Sequence, residues 1–526
     1  MNVAERLVKI LEDNDVCHIF GHPGEQILPF YNALKDSSIE HILMRHEQAA
    51  AHAADAYSRT SSKFGVCIST GGPGALNFTM ALATAFKDNV PMLVITGDNP
   101  TDIRNKDYFQ SIAISDIFKN ITFKSFNPQN SSEAICSFKL AIEILNKEPK
   151  GPVHINLSKD ILLNSDIPLD EVNYIPDYDY TNIPEAKELI KNSKKPLIIA
   201  GSGILYSNSL KSFEKFIRNN SIPIATTFHS KGIISEFDKL NLGLVGIRGL
   251  SISDYALDNA DLIIAIGSKL SERTILDKES IKNKLIHINI DKNCLYGECQ
   301  IHGDVKKCLN EFNQLQLEIN NNWLNEIYAN DVPVEIEGIH SEDIPLKPQS
   351  AIDTILSNFK ESIIVNDAGS HTTWTTLLTK LDKSSRLVFS GSFAPMGYGL
   401  PGAIGAYIAN PSKKIVLING DGDFQMNIQE LATVSQYNIP ITICILNNNE
   451  LGIIRQYQEE LYNVKKYQVN LINPDFEAIA KSYEIESTKV SSKIELNNIL
   501  RDISIKNKPF LIEINVASEN APLPNK

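Results

Sequence analysis

Short apolar runs alternate with longer segments of helical periodicity from one end of the chain to the other. "CHIFG" (17–21), "FGVCIST" (64–70) and "PMLVITGD" (91–98) come first. "KPLIIAG" (195–201), "LIIAIGS" (262–268) and "KLIHINID" (284–291) follow, and then "ESIIVND" (361–367), "KKIVLING" (413–420) and "ITICILNNN" (441–449). Runs that are apolar at successive positions, rather than at every second one, predict strands buried on both faces; with helices between them they imply parallel sheets. Two stretches break the rhythm, "NSDIPLDEVNYIPDYDYTNIP" (164–184) and "ANDVPVEIEGIHSEDIPLKP" (329–348). Both are rich in proline and acidic residues and lack periodicity, which marks linkers. The pattern therefore predicts an α/β protein of three doubly wound parallel-sheet domains, at 1–165, 185–330 and 348–526.

Composition agrees with that division. A chain of 526 residues, 43% hydrophobic, is long enough for about three cores. The net charge of −13, from 50 basic against 63 acidic residues, comes without a basic run, so no nucleic-acid partner is expected. No segment reaches the roughly 18 uninterrupted apolar residues of a membrane span, and "MNVAERLVKILEDNDV" is amphipathic rather than a signal peptide. A cytoplasmic location follows as an expectation. Seven cysteines, several inside apolar runs, suit buried thiols in a reducing compartment. Cys294, Cys299, His302 and Cys308 have the residue types of a zinc site but lack closely spaced pairs, so their clustering reads as incidental.

The candidate chemistry begins at "INGDGDFQMN" (418–427). "KKIVLIN" reads as a strand, "DGD" as a turn at its carboxyl end, "QMNIQELATVSQYN" as a crossover helix and "IPITICILNN" as the next parallel strand. Ligands of open α/β sheets sit at carboxyl strand ends, so Asp421 and the Asn447–Asn448 pair are expected in one crevice. A carboxylate, a carboxamide oxygen and a main-chain carbonyl form a hard site suited to Mg²⁺ completed by phosphate oxygens, with Asp421, Asn448 and Glu450 as the ligand positions. Gly420 and Gly422 allow close backbone approach, and Asp423 completes the turn. Gly-Asp-Gly alone is also a common turn.

The 24 residues (423–446) between Gly420-Asp421-Gly422 and Asn447-Asn448, with a strand before each half, resemble the signature of thiamine diphosphate enzymes. "GHPGEQILPFYNAL", "RHEQAAAHAADAYSR", "STGGPGALNFTMALATAFKDNVPMLVITGD", "DYFQ", "GPVHINLSKDI", "APMGYGLPGAIGA" and "NIQELATVSQYNIPI…LNNNELGIIRQYQEELYN" are similar, in order and over nearly the whole chain, to segments of the acetolactate synthase catalytic subunits. The resemblance implies thiamine diphosphate and Mg²⁺ as cofactors and small 2-oxo acids as substrates. Pyruvate would be decarboxylated and the resulting enamine joined to a second 2-oxo acid, giving 2-acetolactate for branched-chain amino acids.

The same resemblance assigns roles. Glu47 is the carboxyl that favours the imino form of the coenzyme's aminopyrimidine. Pro23, Pro73 and Asn77 stand beside that ring, Met396 under the bent cofactor, and Ser370 and His371 at the diphosphate. Arg273 matches an arginine for the acceptor carboxylate, while Phe109, Gln110 and Lys159 match other active-site positions. In this superfamily the glutamate and the Gly-Asp-Gly segment that complete one site belong to different subunits, which implies a homodimer or a tetramer of dimers, and a small regulatory subunit is a further possible partner. The middle domain resembles one that holds FAD, but its turns "IAGSGI" and "GLVGIRG" also occur in flavin-free relatives and leave FAD open.

Four positions depart from the family pattern. Ser370 stands where a Gln is usual, and His22 replaces a Tyr. Glu25 replaces a glycine, in a place where thiamine-dependent pyruvate decarboxylases carry an acid, which keeps a non-ligating decarboxylase as the alternative reading. Tyr457 replaces a Trp of the acceptor pocket and leaves the choice of acceptor open. A non-catalytic coenzyme-binding paralogue is the remaining alternative, and it would be expected to lack Glu47, Asp421 or Asn448.

Overall fold

A computed structural model describes residues 1–523 apart from 105, 167–171, 319–321 and 384. It contains three six-stranded sheets. The first holds β1 (His18–Gly21), β2 (Glu40–Leu43), β3 (Gly65–Ser69), β4 (Met92–Asp98), β5 (Lys124–Phe126) and β6 (Pro152–Ser158). The second holds β7 (Pro196–Ala200), β8 (Ile224–Thr226), β9 (Asn241–Leu244), β10 (Leu262–Ile266), β11 (Leu285–Asn289) and β12 (Cys299–His302). The third holds β13 (Ile363–Asn366), β14 (Arg386–Val388), β15 (Ile415–Gly420), β16 (Ile441–Asn447), β17 (Glu486–Val490) and β18 (Phe510–Asn515). The nine expected strands all form, each paired in parallel with its sequence neighbours or across a crossover. The α/β fold of three parallel sheets is the one the apolar pattern requires.

Strand order shows where ligands can enter. The first sheet runs β2-β1-β3-β4-β6-β5 and the third β14-β13-β15-β16-β18-β17, the same order twice. In both, the direction of winding reverses between the first and third strands, so the loops leaving β1 and β3, and those leaving β13 and β15, diverge and open a crevice. The second sheet, β12-β11-β10-β7-β8-β9, is the 3-2-1-4-5-6 order when read from its other edge. Its reversal lies between β7 and β10.

Residues 1–176, 340–375 and 388–521 form one compact unit containing the first and third cores, and 177–339, 376–387 and 522–526 a second. The "NSDIPLDEVNYIPDYDYTNIP" stretch lies partly outside the described residues. Among the described residues no helix is long and apolar enough to cross a membrane. Cys67 in β3 and Cys444 in β16 are buried, as are Cys299 and Cys308 of the middle core, while Cys17 is exposed; all seven cysteines are free thiols.

Within the first unit, the Glu47–Thr60 helix is the central element. Ala49, Ala50, Ala51, Ala53, Ala54 and Ala56 are fully buried, and the helix lies between β3 and the Gly399–Ala409 helix. A Cβ added at Gly405 would stand 1.9 Å from the Ala53 carbonyl oxygen, and one at Gly65 would stand 2.0 Å from that of Ala54. Glycine is required on both sides because backbone meets backbone there. A polar bracket fixes the register: Asp55, fully buried, accepts from Arg59 Nε (2.5 Å) and the Tyr398 hydroxyl (2.8 Å), Arg59 also reaches Asp88 (2.9 Å), and the Ser392 N–H donates to Asp88 (3.1 Å).

The expected crossover helix after Gly-Asp-Gly is broken. Asp421–Phe424 forms a short helix, Ile428–Glu430 a 3₁₀ turn and Leu431–Gln436 a second helix. "DGD" is thus the first helical turn rather than a loop, because Asp421 Oδ1 accepts the Gly422 N–H (3.0 Å) and acidic side chains suit a helix start.

A substitution at the tightest of these contacts tests the packing. Gly405→Val is expected to destabilise the first unit by about 1–3 kcal/mol through overpacking, seen as a lower thermal midpoint of its unfolding transition. An unchanged midpoint would show that the helix has room to retreat.

Candidate active site

At the third sheet's reversal, the Ser370–Leu378 helix that follows β13 opens with Ser370 and His371, and the short helix that follows β15 opens with Asp421. Asp421 is 2% exposed, and burial pushes its carboxyl above the usual range. Its Oδ2 accepts from the Asn449 N–H (2.9 Å) and from Asn473 Nδ2 (2.6 Å), so Oδ1, which meets only the Gly422 N–H, is the oxygen left for a cation. Asn473 Nδ2 also donates to Asn447 Oδ1 (2.9 Å), and Asn447 Nδ2 to the buried Glu513 (2.9 Å). Asn448 Oδ1 accepts the Glu450 N–H (3.2 Å). A Cβ added at Gly452 would come within 3.1 Å of Asn448 Nδ2 and 3.6 Å of Ser370 Oγ, so these three meet at one point.

Glu450 enters this site only through its main chain. Its side chain is bound by Arg455 Nε (2.9 Å) and the Ser518 hydroxyl, with Lys466 3.8 Å away. Among the described residues no three His, Cys, Asp or Glu side chains are grouped to hold a metal. The side chains present are instead one carboxylate, Asp421, and one carboxamide, Asn448, whose hard oxygens fit Mg²⁺ sharing its shell with phosphate and water.

The polar atoms facing the crevice fit a diphosphate. Ser370 Oγ and His371 Nε2 are buried without a hydrogen-bond partner, which is costly unless a ligand supplies one. Burial lowers His371 to about 4 and, together with the neighbouring Asp367 and Asp421, holds Asp423 well above the ordinary carboxylate range. The 3.6 Å approach of His371 Nε2 to Asp423 Oδ2 is too long for a hydrogen bond. Met396, half-buried, lies over the turn: its Cε is 3.4 Å from where a Cβ on Gly422 would stand.

Asp367 is a functional residue the sequence reading missed. Fully buried and raised to about 6 by that burial, it accepts N–H groups from Ala368 (2.8 Å), Gly397 (3.1 Å) and Gly399 (2.7 Å), tying the Met396 loop to the end of β13. Its signal was weaker than that of Asp421: an aspartate at a strand's carboxyl end, followed by Ala368 and only then by Gly369. Asn473 had none, since 51 residues (422–472) separate it from Asp421 in the chain.

At the first sheet's reversal a second group assembles. Glu47, half-buried at its helix start, accepts from Asn77 Nδ2 (2.9 Å), and Glu47 Oε1 is 3.0 Å from where a Cβ on Gly74 would stand. Pro73 opens the Pro73–Leu76 helix beneath it. Gln26, the Thr70 hydroxyl and Gln110 form a chain, with Gln26 Nε2 donating to Gln110 Oε1 (3.1 Å). Gly72, at φ 55°, lets the loop pass within contact of the Gln110 carbonyl, where a Cβ would be 2.4 Å away. Lys159 Nζ donates to Glu25 Oε1 (2.8 Å), joining the departure at 25 to a family-matching lysine. Pro23 is exposed, Phe109 is 71% exposed with its carbonyl accepting from Asn99 (3.0 Å), and Tyr457 begins the π-helical turn Tyr457–Leu461. Arg273 lies in the second unit, exposed, its carbonyl accepting the Ile247 N–H (3.0 Å).

Comparison with known proteins matches all three sheets. Residues 1–118 match the N-terminal TPP binding domain of thiamine pyrophosphate enzymes, 183–312 their central domain and 367–514 their C-terminal TPP binding domain. A probable acetolactate synthase large subunit of Methanococcus aeolicus is 37% identical over 557 residues, covering 99% of this chain and 93% of the relative. One from Methanocaldococcus jannaschii is 36% identical, covering 98% and 92%. An acetolactate synthase large subunit of Cyanidium caldarium is 34% identical, covering 98% and 94%. Matched from end to end in sequence and in its three parallel sheets, the chain belongs to the acetolactate synthase large-subunit family of thiamine pyrophosphate enzymes.

Proposed function

We propose that the chain decarboxylates pyruvate and joins the two-carbon fragment to a second 2-oxo acid, releasing CO₂ and 2-acetolactate. The observation that carries this reading is the full-length similarity to acetolactate synthase large subunits, with Glu47, Asp421 and Asn448 all present at the two sheet reversals. Thiamine diphosphate supplies, when bound with Mg²⁺, a nucleophilic carbon for the 2-oxo group and a place to hold the negative charge left by CO₂.

The chain's own residues do the rest. Asp421, Asn448 and the Glu450 main chain would hold Mg²⁺, which would supply positive charge beside the buried Asp421 carboxyl. Ser370 and His371 hydrogen-bond the diphosphate through atoms that have no protein partner. Met396 supports the cofactor's bend, and Glu47, held by Asn77, keeps the aminopyrimidine in its reactive form. Pro23 and Pro73 flank that ring. Gln110 and Lys159, with Glu25, manage protons at the reacting carbon. Phe109, Tyr457 and Arg273 receive the acceptor.

This reading takes the working form to be a homodimer or a dimer of dimers in which Glu47 of one copy serves the coenzyme of the other. It places the protein in the cytoplasm and allows a small regulatory subunit. The reading leaves FAD open in the middle domain, where Gly201 and Gly203 pack on the backbone of Gly267 and a Cβ on Gly201 would be 2.2 Å from its carbonyl oxygen. No step is assigned to a flavin. Simple decarboxylation remains the second reading because Glu25 engages the Lys159 ammonium that would otherwise be free for a substrate carboxylate.

Purified protein with pyruvate, thiamine diphosphate and Mg²⁺ is expected to give acetolactate as the main product, measured beside acetaldehyde; acetaldehyde alone would overturn the ligase reading. Glu47→Gln should lower kcat by about 10²–10⁴-fold, as removal of an acid–base group does, with little change in coenzyme affinity. Chelation of Mg²⁺ should release the coenzyme. Asn473→Leu, by freeing Asp421 to rotate, should weaken Mn²⁺ binding about 10–100-fold in the coenzyme complex, followed by electron paramagnetic resonance.

A further inference from the structure

The residues just before Glu47 pose a problem of unpaired backbone. Strand β2 ends at Leu43 and the helix starts at Glu47, so Arg45 and His46 have N–H groups that neither element satisfies. A buried, unmade hydrogen bond there would leave the segment free to shift, and Glu47 with it.

The partner comes from the third domain. Glu430, at the end of the Ile428–Glu430 turn that follows the Gly-Asp-Gly segment, is fully buried. Its Oε1 accepts the Arg45 N–H (3.1 Å) and the His46 N–H (3.0 Å), while its Oε2 accepts from the same Arg45 N–H (3.2 Å) and from the Thr433 hydroxyl (2.6 Å). The contacts on either side continue the same seam. The Tyr437 hydroxyl accepts the Leu43 N–H (2.8 Å) and donates to the His41 carbonyl (3.2 Å), and Arg45 reaches Gln436 Oε1 (2.6 Å). On the other side His46 Nδ1 accepts the Gln48 N–H (3.1 Å), capping the helix that begins with Glu47. The segment is thus clamped from 41 to 48.

We infer that Glu430 is a positioning residue for Glu47: its carboxylate, taking both consecutive N–H groups, sets the height of the helix start and so the place of the Glu47 carboxylate against Asn77. This rests on the role proposed for Glu47. A general interdomain adhesive would need no such aim at two consecutive N–H groups. Tyr437 and Gln436, which already bind Leu43, His41 and Arg45, would serve for adhesion without it.

The test uses the intact protein and separates this inference from the one beneath it. In Glu430→Leu, backbone amide hydrogen exchange in the absence of coenzyme should rise at Arg45 and His46. Deuterium exchange at C2 of the bound coenzyme, read by NMR after acid quench, should fall about 100-fold, the order of loss a displacement near 1 Å can cause. Coenzyme affinity should hold. Glu430→Gln keeps an Oε1 able to accept both N–H groups, and it should restore amide protection and C2 exchange relative to Glu430→Leu. If Glu430→Leu fails to fold, Glu430→Asp, with its shorter reach, should show the same two effects in weaker form. Normal C2 exchange in a folded Glu430→Leu whose amides have lost protection would overturn the inference alone. Normal C2 exchange in Glu47→Gln would overturn the role of Glu47 and the inference with it.

Discussion

Two backbones approach each other more closely around the Glu47–Thr60 helix than side chains would allow. Gly405 meets the Ala53 carbonyl from one side and Gly65 the Ala54 carbonyl from the other, while six alanines fill the remaining surface. A larger residue at these contacts would lift the helix, and the helix begins with Glu47. The packing gains little hydrophobic area per alanine; what it provides is a short, stiff separation. The buried Asp55–Arg59–Asp88 group then fixes the helix along its axis, a use of buried charge that specifies register more than it adds stability.

From this follows the division of labour between the first and third sheets. Their identical strand order opens a crevice at the same topological place, but the loops placed there differ in chemistry. The first offers a carboxyl with amide partners, Glu47, Asn77, Gln26 and Gln110. The third gathers Asp367, Asp421 and Asp423 in a buried space where each carboxyl is pushed upward. Three buried acids at two adjacent strand ends call for compensation. Backbone N–H groups supply it for Asp367, and the Gly422 and Asn449 N–H groups with the Asn473 amide supply it for Asp421.

Much of this was legible in the chain. Nine apolar runs became strands because a strand covered on both faces must be apolar at successive positions. Edge strands such as β17, half exposed with the sequence "ESTKV", carried no such mark. β6, "PVHINLS", is buried throughout yet alternates apolar and polar residues, so it carried no such mark either. The turn "GDGD" was readable as a strand-end site, though not as a helix start, because a side chain accepting its neighbour's N–H is a local choice between turn and helix. Glu450 was readable as a ligand position, while the loss of its side chain to Arg455, Ser518 and Lys466 was not.

The sequence by itself determined the periodicities, and with them the strands, the helices, the three-sheet class and the residue types at each strand end, since these depend on neighbours a few positions away. Tertiary structure alone decided which distant residues complete each site. Asn473 reaches Asp421, Asp367 reaches Gly397 and Gly399, and Glu430 reaches Arg45 across 384 intervening residues (46–429). The physical reason is that a hydrogen bond depends on distance and angle in space, and chain separation leaves no trace of either.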